Sequence, residues 1–204
     1  MEYKTAQIFG VPIVKMENIY LMNNEEINYI KNLPLVAQNE DDENTKVSKD
    51  LFLLNNHSIF NNIKNVIDEC AKKFVDEVIC VDNNFEITHS WIARSTKKHK
   101  KHDHKNTIFS IVYYVQADNA TIRFFRERNF VTKTFNCDVN YNKFNIFNST
   151  NIDFEVKTGD IIIFPGYVLH EGINDSNNEK IILGANYFIR GNVGNYKNVT
   201  SLVI

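Results

Sequence analysis

The chain has 204 residues, of which 43% are hydrophobic and 24% are charged, and its formal net charge is −2. A chain of this length can bury a hydrophobic core within one domain. The weak net charge supplies no basic field for nucleic acid or a membrane surface, and no stretch approaches the roughly 20 apolar residues of a membrane span.

The N-terminus and the cysteines indicate a compartment. The first residues lack the basic and apolar pattern of a signal peptide. The three cysteines, Cys70, Cys80 and Cys137, have no metal-like spacing, which favours buried free thiols in a reducing cytoplasm. Abundant asparagine, lysine and isoleucine fit an AT-rich genome such as some phages carry. The expected location is therefore a cytoplasm, which could be that of a phage-infected host cell.

Two helix signals precede residue 84. In "YLMNNEEINYIKNL" (20–33), Asn23 or Asn24 can cap a helix that ends before Pro34. The polar segment 37–50 predicts a solvated loop. Within 57–80, apolar residues recur at steps of three and four, which predicts one long amphipathic helix. Those apolar residues are Ile59, Ile63, Val66, Ile67, Cys70, Phe74, Val78 and Ile79.

After residue 83 the pattern changes to short segments rich in β-branched and aromatic residues, which predicts strands. Helices packed on this strand-rich body predict an α+β chain with an all-β core, a sandwich or barrel with a helical buttress. We expect a single domain over residues 1–204, with a strand and helices in 1–83, the core in 84–190 and a surface tail in 191–204. The predicted strands are 85–95, 107–116, 120–127, 154–157, 160–164 and 180–189.

Histidines near two of these strands suggest a metal site. Alternate residues of a strand share a face, so His102 and His104 would point the same way and Asp103 the opposite way. A third histidine, His170, follows a buried strand and a Pro-Gly turn. Two ligands on one face and a third from a distant strand form a facial site with open positions, as non-haem Fe(II) oxygenases require. The alternative for His104 is an imidazole behind the ligands that orients a ligand or the substrate. The other histidines are expected to be surface or structural, although the one in "ITHSWIA" could face the pocket: His57, His89 and His99.

The same segments resemble a known family. "HDHKNTIFSIVYYV", "TIRFFRER", "GDIIIFPGYVLH" and "EKIILGAN" follow the order found in 2-oxoglutarate- and Fe(II)-dependent oxygenases, particularly in a bacterial and phage branch with an HxH and a later histidine. "QIFGVPIV" is similar to the opening strand of that branch, so the likeness covers nearly the whole chain. The resemblance implies a double-stranded β-helix, which is a cupin-like jelly-roll, with N-terminal helices.

The resemblance also implies an iron site. His102 and His170 would be ligands of Fe(II), and His104 would occupy the position that usually holds the Asp or Glu of an HxD/E motif. A three-histidine site lacks the negative charge of that carboxylate.

The cosubstrate implied by the resemblance is 2-oxoglutarate, with O2. Lys180, ten residues after His170, would bind the distal carboxylate, because a buried carboxylate requires a cationic partner. Ser110 would add a hydroxyl to that carboxylate, and Arg128 matches an arginine of the family without an assigned role.

The function implied by the resemblance is a dioxygenase that hydroxylates a protein, a peptide or a small molecule. Two alternatives stay open: a jelly-roll that binds a ligand without catalysis, and a three-histidine metal dioxygenase that does not use 2-oxoglutarate. The basic run 97–104 is typical of a solvated loop, and it could instead attract an acidic substrate or a phosphate to the pocket. Without an aromatic-interleaved groove, the sequence does not favour nucleic acid as a partner.

Overall fold

Most of the chain folds into antiparallel strands. The structure, a computed structural model, describes residues 10–38, 44–126, 139–194, 197 and 199–204. In the described residues, the strands are β1 Val14–Met16, β2 Leu35–Ala37, β3 Thr45–Ser48, β4 Asn84–Ser95, β5 His99–His102, β6 Phe109–Gln116, β7 Ala120–Phe125, β8 Asn151–Val156, β9 Ile161–Pro165, β10 His170–Asn174, β11 Lys180–Arg190, β12 Asn192–Val193 and β13 Leu202–Val203. The helices are α1 Asn24–Lys31, α2 Leu53–Asn56 and α3 Asn61–Lys73, with a 3₁₀ turn at Ser58–Phe60 and a π-helical turn at Phe74–Ile79.

Two sheets form the body of the protein. The major sheet has the strand order β1-β9-β6-β11-β4-β3-β2, and the minor sheet has the order β5-β10-β7-β8. Apolar side chains of β6 and β9 pack against those of β7 and β8, so the two sheets face each other across one hydrophobic core. This arrangement confirms the predicted jelly-roll with N-terminal helices.

The major sheet is buried on both faces. In β6, Ile111, Tyr113 and Val115 pack with the helices, whereas Val112 and Tyr114 pack between the sheets. Because side chains alternate along a strand, the even-numbered residues of β6 and β11 face the space between the sheets. That space is where the candidate site lies.

The predicted helices are present, with one difference in the second. Asn23 caps α1 through a capping box with Glu26, and the helical segment predicted for 57–80 covers the 3₁₀ turn, α3 and the π-helical turn. The π-helical turn adds a residue to the helical repeat. Val75 is therefore buried, while Val78, which we expected in the apolar face, is 43% exposed.

Two expectations from the sequence are wrong. The segment 37–50, which we expected to be a solvated loop, contains β3, paired with β2 and β4. Ser48 is buried there, and its hydroxyl accepts a hydrogen bond from the backbone N–H of Ile92 at 3.1 Å. Cys70 is a buried free thiol as expected, but Cys80 is exposed, and Cys137 lies outside the described residues.

The segment after β11 contains one short pair of strands. β12 and β13 pair within the segment predicted as a surface tail. Within the part of the chain that the structure describes, no helix has the length and apolar character to cross a membrane.

Candidate functional site

Strand pairing brings two of the predicted histidines together. His102 ends β5 and His170 begins β10, and the two residues are direct partners in the antiparallel pair of these strands. Their ring centroids lie 4.4 Å apart. Directly opposed residues on one sheet face have neighbouring side chains, so the two imidazoles reach the same point from different strands.

His104 reaches the same point from a loop. β5 ends at His102, and the backbone N–H of His104 donates to the carbonyl of Gly166 at 2.8 Å, in the turn between β9 and β10. The ring of His104 stacks on that of His102 at 5.3 Å and lies 5.0 Å from that of His170. Asp103 points away and pairs with Lys105 at 2.7 Å. The sequence prediction for these directions agrees with the structure, although a loop rather than a strand produces them.

The three rings together offer ligand atoms for one metal ion. One nitrogen atom from each of His102, His104 and His170 lies within 4.8 Å of the other two. Two nitrogens that bind one ion at about 2.1 Å lie no more than about 4.2 Å apart. Small rotations of the rings would therefore bring the three nitrogens within binding distance of one metal ion.

Hydrogen bonds select which nitrogen of each ring is free. The Nδ1 atom of His102 lies 2.8 Å from the carbonyl of Lys100, and that of His170 lies 2.9 Å from the carbonyl of Val168. A carbonyl only accepts, so both Nδ1 atoms carry the hydrogen and both Nε2 atoms keep a lone pair. A metal-binding histidine commonly donates its second ring nitrogen in this way.

Burial keeps the three imidazoles neutral. Removal from water lowers the pKa of His102 and lowers that of His104 to about 4. Burial, and then the neighbouring His102 and His104, hold the pKa of His170 well below its usual value. Since only an unprotonated nitrogen binds a metal, all three rings are ready to bind one at neutral pH.

A buried ammonium from β11 lies beside Gly172 of β10. Lys180 begins β11 and is 5% exposed, and within the described residues its Nζ makes a single hydrogen bond, at 3.4 Å to the carbonyl of Ile173. Its Nζ lies 2.6 Å from the position that a Cβ on Gly172 would occupy. Gly172 follows His170 by two residues, so it shares the inward face of β10. Glycine at this position leaves the space in which the ammonium lies.

Burial also perturbs this lysine. Removal from water lowers the pKa of Lys180 to about 8, partly opposed by the charge of Asp175. A buried charge with a strongly shifted pKa is a functional candidate.

Ser110 contacts one of the histidines. Its hydroxyl is 2.6 Å from Nδ1 of His104 and 2.8 Å from Oδ1 of Asn186. These contacts let Ser110 orient the ring of His104, and the contact with the cosubstrate that the resemblance implied stays a prediction. Arg128 lies outside the described residues.

Aromatic rings surround the histidines. The ring of Phe164 lies 4.6 Å from that of His170, and the rings of Phe124 and Trp91 lie 6.0 Å from His170 and 5.6 Å from His104 respectively. These apolar walls limit the access of water to the site. A separate cavity of about 430 Å³ lies on the helix-covered face of the major sheet, between α3 and β4.

The other histidines differ in position. His57 bridges Asp50 at 2.8 Å and Tyr29 at 2.7 Å, and His89 stacks on Phe52, so both have structural contacts. His99, expected at the surface, has its ring 4.5 Å from that of His102. A bulge between β5 and β10 produces this, because it places two residues three apart on the same face.

Two residues of the site were missed by the sequence analysis. Asn186 carries the one amide inside the apolar strand "KIILGANYFI", and Gly172 interrupts the strand after His170. A polar residue or a glycine in a buried strand was the available signal.

One family model matches the part of the chain that carries the site. Residues 89–184 match the family model described as "Putative 2OG-Fe(II) oxygenase". This range contains all three clustered histidines and Lys180. A search of curated proteins finds no matching sequence.

Solved structures share the fold. An oxidoreductase of the 2OG-Fe(II) oxygenase family from Burkholderia pseudomallei has 15% identity and a TM-score of 0.56, with 86% of this chain and 83% of that chain covered. A prolyl-4-hydroxylase from Pseudomonas putida has 12% identity and a TM-score of 0.59, with 89% and 94% covered. HygX from Streptomyces hygroscopicus, solved with nickel and 2-oxoglutarate bound, has 10% identity and a TM-score of 0.57, with 87% and 82% covered.

At these identities the structural likeness shows a common fold, and the family match adds the sequence signature. Together they show that this chain is similar in sequence, over residues 89–184, and in fold to 2-oxoglutarate- and Fe(II)-dependent oxygenases.

Proposed function

We propose that this protein is an Fe(II)- and 2-oxoglutarate-dependent dioxygenase that hydroxylates a C–H bond of a protein, a peptide or a small molecule. The observation that carries the proposal is the convergence of His102, His104 and His170 within 4.8 Å, beside the buried ammonium of Lys180.

The donor set fits a divalent transition metal. His102, His104 and His170 would hold the ion through Nε2, since hydrogen bonds occupy their Nδ1 atoms. Imidazole suits iron, and three ligands on one side leave open positions for a cosubstrate. Because the three imidazoles are neutral, the ligand at the open positions has to balance the full charge of the ion. A dicarboxylate cosubstrate meets that requirement.

Lys180 fits the distal end of the cosubstrate. A buried ammonium with one long hydrogen bond has unused donors, and a carboxylate is its natural partner. Gly172 would leave the path between His170 and Lys180 open. In this superfamily the bound iron and 2-oxoglutarate supply the oxidising chemistry, in which O2 converts the keto acid to succinate and CO2 and hydroxylates a C–H bond.

The residues of this chain would contribute geometry and exclusion of water. The carbonyls of Lys100 and Val168 fix the ring orientation of two ligands. Phe124 and Phe164 close one side of the site and contact each other at 5.1 Å between centroids. A low-water site strengthens the attraction between the ammonium and a carboxylate.

Peptides and small molecules are both bound by proteins of similar fold. One is a prolyl hydroxylase from Trichoplax adhaerens in complex with a hypoxia inducible factor peptide fragment, and another is HygX with hygromycin B bound. The proposal for this chain therefore includes a peptide and a small molecule.

Calorimetry tests the proposal. Mn(II), which does not turn over, is titrated into the protein with and without 2-oxoglutarate, and the proposal predicts keto-acid binding that needs the metal and is lost in Lys180→Met. The exposed Lys46→Met is the matched control and should bind as the unchanged protein does. Metal binding without any keto-acid binding would favour a three-histidine dioxygenase that does not use 2-oxoglutarate. Absence of metal binding would favour a non-catalytic binding protein.

A further inference from the structure

We infer that Asn186 is a positioning residue of the metal centre, because its side-chain oxygen accepts the Nδ1 hydrogen of His104 and so directs Nε2 of that ring to the metal. The inference rests on the proposed function, since it takes His104 as a ligand.

A histidine at this position has a requirement that a carboxylate lacks. A neutral imidazole carries one hydrogen on either ring nitrogen, and only the other nitrogen can bind a metal. Backbone carbonyls settle this choice for His102 and His170. The Nδ1 atom of His104 instead faces two side chains, those of Ser110 and Asn186.

With the carboxamide oxygen of Asn186 facing His104, the contacts of these two side chains place the hydrogen of the ring on Nδ1. Nδ1 of His104 lies 2.7 Å from Oδ1 of Asn186, where two lone pairs would repel each other, so Nδ1 carries the hydrogen and donates it. The hydroxyl of Ser110 donates to the same Oδ1 at 2.8 Å. Ser110 is fully buried, so this hydroxyl keeps the carboxamide oxygen turned toward His104.

The backbone around Asn186 supports this role. Asn186 lies on the face of β11 that includes Lys180, toward the space between the sheets. The pairing of β11 with β4 shifts register between Asn186 and Tyr187, and the hydroxyl of Thr88, the unpaired residue of β4, donates to the carbonyl of Asn186 at 3.2 Å. Bulges commonly redirect a side chain beside an active site.

Two substitutions of nearly equal size separate the acceptor from the volume. Asn186→Leu removes the acceptor oxygen, and Asn186→Asp keeps one. The affinity for Co(II) alone, followed by its visible absorption, should fall by about 10- to 100-fold in Asn186→Leu, the usual effect of losing a partner of a ligand. The affinity of Asn186→Asp should equal or exceed that of the unchanged protein.

A double-mutant cycle with His104→Asp shows whether Asn186 acts through His104. A carboxylate at 104 has no tautomer to select, so Asn186→Leu should change the Co(II) affinity of His104→Asp by no more than about twofold, the scatter of independent sites. A purely structural role of Asn186 would reduce the affinity equally in both backgrounds, and this result would overturn the inference.

The tautomer itself gives a second readout that needs no metal. Imidazole ¹⁵N shifts of His104 should report a hydrogen on Nδ1 in the unchanged protein and a mixture of tautomers in Asn186→Leu. An unchanged tautomer in Asn186→Leu would contradict the inference. If Asn186→Leu does not fold, Ser110→Ala takes its place, with a smaller loss of Co(II) affinity expected and an unchanged affinity contradicting the inference.

A control separates this inference from the proposed function. Unchanged Co(II) affinity in His104→Ala would show that His104 is not a ligand and would overturn both. A loss of affinity in His104→Ala together with no loss in Asn186→Leu would overturn the role of Asn186 alone.

Discussion

Replacing Lys180 with methionine should stabilise the metal-free protein and weaken its binding of 2-oxoglutarate. Lys180 is 5% exposed, and within the described part of the chain the single hydrogen bond of its ammonium is the 3.4 Å contact with the carbonyl of Ile173. Methionine fills a similar space without a charge. The substitution therefore removes a buried charge at little cost in packing.

The magnitude follows from the pKa. Burial lowers the pKa of Lys180 from 10.5 to about 8, and at about 1.4 kcal/mol per pKa unit this corresponds to about 3 kcal/mol against the charged form. Loss of the hydrogen bond to Ile173 returns about 1 kcal/mol. The net gain is about 2 kcal/mol, which for a protein of this size raises Tm by about 4–8 °C.

The same substitution should damage the site. Removing one member of a buried charged pair costs about 2–5 kcal/mol, which is a loss of about 30-fold or more in affinity for 2-oxoglutarate. Thermal unfolding of metal-free Lys180→Met, and calorimetry of 2-oxoglutarate with Mn(II) present, measure both effects. Lys46→Met, at an exposed position of β3, is the control for the change in chemistry. A lower Tm together with unchanged keto-acid affinity would refute the reasoning.

The stability effect also has a defined pH dependence. Because the pKa of Lys180 is lowered in the folded protein, the unfolded chain binds more protons between about pH 8 and 10.5, and stability from this group rises with pH in that window. Below about pH 8 the penalty is complete. The Tm advantage of Lys180→Met should therefore be constant at neutral pH and disappear as the pH approaches 10.5.

Three further substitutions test other parts of the site. His170→Ala should abolish retention of metal through gel filtration, and metal analysis showing one retained ion per chain would contradict its role. Gly172→Ala places a Cβ 2.6 Å from the flexible end of Lys180, so the fold should persist while the affinity for 2-oxoglutarate falls at least about tenfold. Calorimetry should show an unchanged affinity for Mn(II) alone. An unchanged affinity for 2-oxoglutarate would count against the assignment of Lys180. Gly184→Ala places a Cβ 2.6 Å from the Trp91 ring and should cost about 1–3 kcal/mol in denaturant unfolding, since the core is overpacked; an unchanged midpoint would show that the ring moves freely.

Periodicity predicted the secondary structure well where segments were long. The helix predicted within 57–80 and the strands after residue 83 are present because burial of one or both faces fixes their pattern. β3, Thr45–Ser48, was missed because four residues between polar neighbours carry too little pattern, and its pairing with β4 decides its conformation. The π-helical turn that buries Val75 likewise depends on packing.

The site was partly predictable for a similar reason. His102 and His170 each lie at the end of a strand, where the local pattern is informative. The contacts of Gly172 and Asn186 depend on how distant strands of the two sheets are arranged. No local segment of the sequence predicts that arrangement. A residue that supports a ligand through a distant strand is thus found only in three dimensions.

X-ray absorption spectroscopy of the Fe(II)-loaded protein tests most directly the claim that three histidines share one ion. Imidazole rings give characteristic outer-shell scattering, and the account predicts three of them, with iron–nitrogen distances near 2.1 Å. The variant His104→Ala should then show two. Two imidazoles in the unchanged protein, with the same spectrum in His104→Ala, would contradict the three-histidine centre.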